Sequence, residues 1–432
     1  MKKLTLIMLS VVLAISSCSK NDDGDNVAAP TLTTITPNNG PKGTLVTING
    51  DNFGADASAI QVYFNEIEAE VQSVTNTAIE AIVPSRAYTG VVKVMVNNTE
   101  LLGPEFSYTI TRAIVDTMVG SDLGNADGQG VNVQFNNPRG IVFDSQGHLY
   151  VVDNSNHSIR KVTASGVTTT FAGSTQGFAD GIGTSAKFDS PGFIAIDAQD
   201  NLYVTDLYNH KIRKITPDGE VSTFAGSTQG NEDGIGTEAK FFHPMGITID
   251  ADGNLYVSDT YNHNIRKITP TGEVTTLAGS EQGFADAVVG TEAKFQYPHG
   301  LAIDKNNNIL VADRGNNGIR KISAIGSVTT ITGSTQAGYE NGPLGTALFN
   351  DPIAIEVDED GNLYITDTDN HVIRKVDNYG QVSTFAGSTL GNSDGIDMQA
   401  SFNRPFGITK KGKYKMYVSD SFNHRIRRIT QE

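Results

Sequence analysis

Apolar and polar residues alternate over short runs along most of the chain, and turn residues separate these runs. Residues 45–48 and 60–64 show the period of two that is typical of half-buried strands. Clusters of Gly, Asn and Asp end each run after a few residues, and no long stretch shows the period of a helix. The pattern therefore predicts an all-β protein with many tight turns.

A self-similar unit recurs six times between residues 112 and 432. Its clearest mark is Asp-x-x-Asn-His-x-Ile-Arg-Lys, and successive copies are 53 or 54 residues apart. A period of this length is typical of a propeller, a solenoid or an array. Each unit shows four short strands, which favours the blade of a β-propeller. The six copies begin at Asp153, Asp206, Asp259, Asp313, Asp367 and Asp420.

The two ends of this repeat region complement each other. The last unit stops after its third strand, at residues 426–430, and an unmatched segment precedes the first unit at residues 113–121. That segment is similar to the fourth strand of a later unit, at residues 221–227. We expect the two ends to pair and complete the sixth blade, because this removes an exposed sheet edge.

The repeated core resembles the NHL repeat family. It consists of Asn-His-x-Ile-Arg-Lys together with Pro-x-Gly-Ile and Leu-Tyr-Val, as in residues 244–268. The resemblance implies a six-bladed NHL-type propeller over residues 112–432. In the fourth copy Asn317 replaces the His and Arg314-Gly315 fills the turn, which leaves drift and adaptation to a ligand both open. The Asp and His that recur in every blade are interpreted as structural rather than catalytic or metal-binding.

Residues 29–111 form a separate segment of about seven short alternating runs, a pattern that fits an Ig-like β-sandwich. Residues 35–43 and 46–54 resemble the IPT/TIG family, and residues 62–65 fit as well. The resemblance implies a spacer or an interaction module. The segment carries no cluster of titratable residues, so we expect it to act as a stalk.

The first residues predict export and lipidation. Two lysines precede an apolar run at residues 4–15, which is too short to span a bilayer. Residues 15–18 resemble a bacterial lipobox, which implies a signal peptide over residues 1–17 and a lipid on Cys18; a chance cysteine after an ordinary signal peptide is the alternative. The acidic tether at residues 18–28 resembles the export tag of Bacteroidetes lipoproteins, which implies an outer-membrane, cell-surface location.

The charge and the cysteine content argue against nucleic-acid binding and against intramolecular disulfides. The formal charge of −16 at pH 7 disfavours nucleic acid as a partner. Cys18 is the single cysteine, so no intramolecular disulfide can form. No loop carries the oxygen cluster that a calcium site needs; a structural calcium ion stays open, but no cofactor and no metal site are predicted.

Function in a propeller is sought where the blades differ. The turns between second and third strands, and the starts of the innermost strands, are predicted to share one face. Aromatic rings with a few polar groups suit a sugar, although the rings could also only pack the loops and the chain has no Trp. The inter-blade loops add Phe178, Phe284 and Tyr339 to this face. The candidate ligand-binding residues are Tyr208, Tyr261, Phe422, Arg139, Arg314, His299 and Met245.

Three functions are compatible with these features. The combination of lipobox, acidic tag, stalk and propeller resembles glycan-capture lipoproteins of Bacteroidetes polysaccharide-uptake systems, which implies a non-catalytic binding protein. A protein–protein interaction scaffold is the second reading. A metal-dependent lactonase- or lyase-like enzyme is the third, but the predicted innermost strands carry only Glu356 and Lys410 as charged residues. No catalytic residue is predicted.

Overall fold

The computed structural model describes residues 28–432 and divides the chain into two compact units. The first unit extends to Thr109 and the second from Ile110 to Glu432. The predicted signal peptide, Cys18 and all but the last residue of the tether lie outside the described residues. Within residues 28–432, no helix has both the length and the apolar character needed to cross a bilayer.

The first unit is built from eight strands that share one apolar core. Burial alternates along β3 and β7, as the period of two predicts. Phe64 and Phe106 meet edge to face in the core, with ring centroids 5.2 Å apart. The strands follow the order β1-β3-β6-β5-β4-β7-β8-β2. They are β1 (Thr31–Thr36), β2 (Asn39–Gly40), β3 (Leu45–Asp51), β4 (Ile60–Phe64), β5 (Ile67–Val74), β6 (Ala78–Ile82), β7 (Gly90–Val96) and β8 (Thr99–Tyr108).

The second unit is a propeller of six blades, as the repeats predict. Each blade runs from an innermost first strand to an outer fourth strand by antiparallel pairing. The first three blades contain β10 (Gly128–Gln129), β11 (Pro138–Phe143), β12 (Leu149–Asp153), β13 (Ser158–Val162) and β14 (Val167–Gly173); β15 (Gly181–Ile182), β16 (Pro191–Ile196), β17 (Leu202–Asp206), β18 (Lys211–Ile215) and β19 (Glu220–Ala225); and β20 (Gly234–Ile235), β21 (Pro244–Ile249), β22 (Leu255–Asp259), β23 (Asn264–Ile268) and β24 (Glu273–Ala278).

The remaining blades follow the same plan, and the sixth includes β9 (Ala113–Gly120). They contain β25 (Pro298–Ile303), β26 (Ile309–Asp313), β27 (Gly318–Ile322) and β28 (Val328–Gly333); β29 (Gly342–Pro343), β30 (Pro352–Val357), β31 (Leu363–Asp367), β32 (Val372–Val376) and β33 (Gln381–Ala386); and β34 (Gly395–Ile396), β35 (Pro405–Lys410), β36 (Lys415–Asp420) and β37 (Arg425–Gln431). The helical elements among the described residues are single 3-10 turns at Ala57–Ala59, Gly130–Asn132, Asn154–Asn156, Gly183–Ser185, Gly236–Glu238, Thr260–Asn262, Gly290–Glu292, Arg314–Asn316, Thr368–Asn370, Asp397–Gln399 and Ser421–Asn423.

Five blades carry a fifth strand that the sequence did not predict. It is a two-residue segment of the loop before the blade, and it pairs with the fourth strand from outside, as Gly181 does with Val221. The fourth blade has a single bridge between Ala287 and Val328 in its place. The prediction of four strands per blade was therefore incomplete at the outer edge.

The predicted closure is confirmed. Strand β9 pairs antiparallel with β37 and thereby supplies the fourth strand of the sixth blade. Val119 lies opposite Ile426, and Asp116 opposite Arg428, whose Nη2 is 2.9 Å from a carboxylate oxygen of Asp116. The ring thus has no unpaired edge at the junction of its first and last strands.

The recurring Asp and Arg form a buried pair in every blade. In the second blade, Arg213 Nη1 donates to Asp206 Oδ2 at 2.8 Å, while Nη2 donates to Asp180 on the preceding loop at 2.6 Å. Asp206 Oδ1 also accepts the backbone N–H of Asp189. These bonds satisfy groups that would be costly to bury alone. The pairs are Arg160–Asp153, Arg213–Asp206, Arg266–Asp259, Arg320–Asp313, Arg374–Asp367 and Arg427–Asp420.

The recurring His links each blade to the next. His157 has a left-handed backbone, and its Nδ1 accepts the backbone N–H of Ser190 at 3.0 Å. In the fourth blade, Asn317 Oδ1 accepts the N–H of Asp351 at the same distance. Asn317, which stands where the other blades have His, therefore keeps the hydrogen bond between neighbouring blades. The other His acceptors are His210, His263, His371 and His424.

Candidate ligand-binding face

The turns between second and third strands lie at the same end of the propeller as the starts of the innermost strands. Pro191, which opens β16, pairs with Asp206, which closes β17 and leads directly into the turn of Tyr208. The second residue of each innermost strand lies beside these turns. We call these six positions the mouth: Arg139, Gly192, Met245, His299, Ile353 and Phe406.

A row of aromatic side chains crosses this face from the second to the fourth blade. Tyr208 and Tyr261 flank the ring of His243, with centroid distances of 4.8 and 4.7 Å. Tyr297 continues the row 5.3 Å beyond Tyr261. The two predicted tyrosines are 53% and 48% exposed. We call Tyr208, His243, Tyr261 and Tyr297 the aromatic row.

Neighbouring rings hold the row in place. His210 stacks on His243 with a centroid distance of 5.0 Å and an interplanar angle of 10°. Phe242 packs against Tyr261 at 5.1 Å. Burial lowers the pKa of His243, so its imidazole is neutral at neutral pH. The row is therefore an uncharged, partly exposed surface of stacked rings.

Two members of the row were not predicted from the sequence. His243 and Tyr297 precede the first Pro of their blades, with left-handed backbones of φ 52° and 49°. This backbone makes the N–H of each residue available to the His of the preceding blade. The position differs from blade to blade, so the comparison of blades that selected Tyr208 could have found it. Its occupants are Asn137, Ser190, His243, Tyr297, Asp351 and Arg404.

The fourth to sixth blades carry charges on this face. Arg314 pairs with Asp351 through Nε and through Nη2, the latter at 3.3 Å from Oδ2. Asp351 also accepts from Arg404, which bonds Asp369 at 2.9 Å. The predicted Phe422 lies under Arg404, 5.5 Å from ring centre to guanidinium carbon. The structure thus brings Tyr208 and Tyr261 together and places Phe422 in a separate, charged part of the face.

The mouth contains the other three predicted residues. The guanidinium of Arg139 lies over the ring of Phe406 at 4.9 Å. His299 is 3% exposed, and its Nδ1 is 3.0 Å from the carbonyl oxygen of Tyr297. Because a carbonyl only accepts, Nδ1 carries the proton. Burial, together with the charges of Arg314 and Arg139, lowers the pKa of His299 to about 3. Met245 is buried in the core.

Phe178, Phe284 and Tyr339 have a packing role. Their rings cover the blade arginines Arg213, Arg320 and Arg374 at 4.9, 4.8 and 5.0 Å. A second ring, that of a Phe, lies 5.1, 5.1 and 4.9 Å from the same three arginines. Phe178, Phe284 and Tyr339 nevertheless remain 42–50% exposed, so their place on the binding face stays a prediction.

A cavity of about 300 Å³ lies between the innermost strands of all six blades. Glu356 is the one carboxylate among the described residues that line it, and burial raises the pKa of this carboxyl to about 7. An innermost strand also contains Arg139, so the prediction that these strands carry only Glu356 and Lys410 as charged residues was too narrow.

The ligands for a catalytic metal are not assembled at His299. Within residues 28–432, no three His, Cys, Asp or Glu side chains form a group that could hold a metal ion. The charged groups that influence His299 are Arg314 and Arg139, and both repel a cation. These residues do not fit a metal-dependent hydrolase or lyase site at the mouth.

Comparison with known families accounts for both units. Residues 30–111 match the IPT/TIG domain, and residues 135–162, 188–215, 241–268 and 295–322 match the NHL repeat. The chain thus contains an IPT/TIG domain followed by a propeller with NHL repeats. The matched repeats fall in the first four blades of the NHL propeller, and the fifth and sixth carry the same buried Asp–Arg pair.

Relatives of the NHL propeller occur in larger proteins. The chloroplastic protein SUPPRESSOR OF QUENCHING 1 of Arabidopsis thaliana is 27% identical over 285 residues. The match covers 61% of this chain but only 27% of the relative. The chain thus spans about a quarter of the length of that curated relative.

Solved structures share the whole architecture. A Bacteroides thetaiotaomicron protein of unknown function is 24% identical, with a TM-score of 0.64 and coverage of 94% of this chain and 99% of that chain. An auxiliary nutrient binding protein from Bacteroides ovatus is 22% identical, with a TM-score of 0.63 and coverage of 94% and 98%. At these identities the likeness shows a common fold.

Proposed function

We propose that this protein is a non-catalytic surface binding protein that captures a glycan on the aromatic row of its NHL propeller. In this proposal Cys18 carries the lipid that anchors the chain in the outer membrane, and residues 29–111 act as the stalk. The lipobox-like sequence supports the anchor. The Bacteroides ovatus neighbour, a nutrient binding protein, supports a role in binding.

The observation that carries the proposal is the geometry of the aromatic row. Its rings are 4.7 to 5.3 Å apart, and two of them are about half exposed. The C–H faces of a sugar ring are apolar and lose unfavourable contact with water when they cover such rings. The neutral His243 keeps the surface free of charge. A row that extends over three blades suits successive sugars of a polymer.

A surface protein is the second candidate partner. Val288 and Val289, on the loop before the fourth blade, are 85% and 53% exposed. That loop lacks the two-residue strand that other blades form. Exposed apolar groups of this kind are typical of protein interfaces, so they favour a scaffold function more than glycan binding.

Binding of the purified full-length protein to an array of polysaccharides and oligosaccharides tests the proposal. The double variant Tyr208→Ala, Tyr261→Ala should bind the glycan at least about tenfold more weakly, because it removes two stacking faces. Tyr379→Ala is the matched control. Tyr379 is 88% exposed in the turn between β32 and β33, which lies at the opposite end of the blade. We expect this control to bind like the unmodified protein.

The array also has an outcome that contradicts the proposal. If the protein binds no glycan, capture of a polysaccharide is wrong. Capture of a surface protein that requires Val288 and Val289 would then favour the scaffold. Equal binding by the double variant and the unmodified protein would move the glycan site away from the row.

A further inference from the structure

Arg139 differs from the six buried blade arginines in having no anionic partner. Within residues 28–432, its guanidinium makes no hydrogen bond and no ion pair, and its contact is the ring of Phe406. The Nε of Arg139 is shielded from solvent without an acceptor, a property it shares with the blade arginines. Those arginines, however, place both Nη groups on oxygen acceptors, as Arg213 does.

The blade architecture does not require an arginine at this position. The equivalent mouth residues of the other five blades carry no permanent charge: Gly192, Met245, His299, Ile353 and Phe406. Arg139 is therefore a feature of one blade, and the blade folds with a small, apolar or aromatic residue in its place. A unique residue on a repeated scaffold points to a ligand rather than to the fold.

The surroundings of Arg139 supply no carboxylate that pairs with it among residues 28–432. Burial, with the charge of Arg314, lowers the pKa of Arg139 to about 10, so it stays a cation at neutral pH. His299 is neutral there, and Arg314 is held by Asp351. Arg139 is partly exposed, and only its Nε is shielded from solvent. An anion that joins this partly buried, unpaired cation offsets the cost of removing it from water. The mouth is thus a positive site in a chain whose net charge is −16.

The mouth and the aromatic row are continuous. Arg139 is the second residue of β11, and Tyr208 lies in the turn after β17, at the same end of the neighbouring blade. His299 bonds the backbone of Tyr297, at the other end of the row. A ligand whose sugar ring covers Tyr208 can therefore extend a substituent to Arg139.

We propose that Arg139 binds an oxyanion of the ligand, a carboxylate or a sulfate ester, so that the captured glycan is an acidic one. That the ligand is a glycan rests on the proposed function. The anion site itself rests only on Arg139 and its surroundings in the mouth. A guanidinium presents paired N–H donors whose spacing matches the two oxygens of a carboxylate or sulfate.

The first experiment compares polymers that differ in charge. Purified full-length protein is titrated at pH 7 with polygalacturonate, with its carboxyl-reduced neutral form, and with dextran sulfate. We expect at least tenfold tighter binding of a charged polymer than of the neutral one. Preference for polygalacturonate or for dextran sulfate distinguishes a carboxylate from a sulfate site.

Variants locate the anion site. Arg139→Met introduces the residue that the third blade carries at this position, so it should fold. It should weaken binding of the charged polymer about ten- to a hundredfold and leave the neutral polymer unaffected. Lys305→Met removes one exposed positive charge from a turn at the opposite end of the blade and should change neither affinity.

A second measurement does not depend on the glycan. Sodium galacturonate and sodium sulfate should raise the melting temperature of the unmodified protein more than sodium chloride does at equal ionic strength. The Arg139→Met variant should lose the specific part of the rise, which separates it from the general stabilisation by sulfate.

The outcomes separate the two proposals. Equal affinity for charged and neutral polymers, unchanged in Arg139→Met, would overturn the anion site and leave glycan capture intact. Binding of dextran sulfate that Arg139→Met retains in full would also overturn it. If no polymer binds but the small anions stabilise only the protein with Arg139, glycan capture is wrong and the anion site stands. If the small anions have no such effect either, both proposals are wrong.

Discussion

Repetition separates structural side chains from functional ones at the scale of single residues. Arg213 and its five equivalents are buried against a carboxylate in every blade, which is what the fold needs. Arg139 occurs in one blade and has no such partner. The same comparison distinguishes His157, a link between blades, from His243, a member of the aromatic row.

The His links predict a dependence of stability on pH. Burial lowers the pKa of His157 below its ordinary value of 6.5. As the pH falls, the unfolded chain therefore binds more protons than the folded one. The contribution of the neutral His157 to the free energy of unfolding is thus complete above about pH 6.5 and is lost as the pH falls below it. His157→Asn introduces the residue that the fourth blade carries at this position. The variant should have the same free energy of unfolding as the unmodified protein at pH 8. Between pH 8 and pH 5 it should lose about 1 kcal/mol less of that free energy.

Denaturant titration at the two pH values checks this expectation. Asn adopts the left-handed backbone readily, as Asn317 does, so the variant should not be strained. Asp189 acts on His157 in the opposite sense, so it reduces the difference between the two proteins without reversing it. An identical loss of stability between pH 8 and pH 5 in both proteins would contradict the role given to His157.

The sequence predicts single residues well where blades can be compared and poorly where contacts cross blades. Tyr208 and Tyr261 were selected because they vary at one turn position, and the structure does bring them together. The ring between them, His243, belongs to a different loop, and only the left-handed backbone brings it there. Periodicity carries no information on such contacts. The ligand-binding role of all seven predicted residues stays a prediction.

Hydroxyl groups at the strand ends hold neighbouring elements in register. Thr260, which follows β22, donates to the carbonyl oxygen of Pro298 at the start of β25, at 2.7 Å. Thr368 makes the same bond to Pro405 in the fifth blade. The bond fixes the start of the innermost strand, and with it the mouth residue that follows.

Removing this hydroxyl tests its contribution. Thr260→Val keeps the shape but removes the hydroxyl that donates to the Pro298 carbonyl, which should cost about 1–3 kcal/mol of unfolding free energy. Thr260→Ser keeps the hydroxyl, as Ser421 does in the sixth blade, and should cost less than about 1 kcal/mol. Chemical denaturation of the two variants measures the difference. Equal losses would assign the effect to packing of the methyl group.

The sequence predicts long elements and misses the shortest ones. The four main strands of each blade contain five or more residues, enough to show a period of two. The outer strand Gly181–Ile182 has two residues and no period. Its existence depends on pairing with β19, which only the assembled blade provides.

The number of blades follows from the sequence because the repeat fixes it, and closure follows from the unmatched segment at residues 113–121. Each blade packs on both neighbours through apolar clusters that cross blade boundaries, such as the one containing Ile265, Phe295 and Leu301. We therefore expect the ring to unfold in one cooperative transition rather than blade by blade.

Matched valines test cooperativity. Val115 in the closing strand β9 and Val221 in β19 occupy equivalent places, and both are fully buried. Val115→Ala and Val221→Ala should each lower the free energy of unfolding by about 2 kcal/mol, with one transition of unchanged slope. Denaturation followed by fluorescence and circular dichroism checks this. A separate early transition in Val115→Ala alone would show that the closing blade opens independently.

The pairing of β9 with β37 joins residues 312 positions apart, so biosynthesis decides when the ring can close. At roughly 5–20 residues per second, β9 waits about 15–60 s for its partner. A propeller that folds before β37 is available exposes a free strand on each side. Any chain interrupted before β37 keeps those edges and remains open to proteases and aggregation. Only a chain that includes β37 can close the ring, so only a complete propeller loses its free strand edges and gains the protection that closure gives.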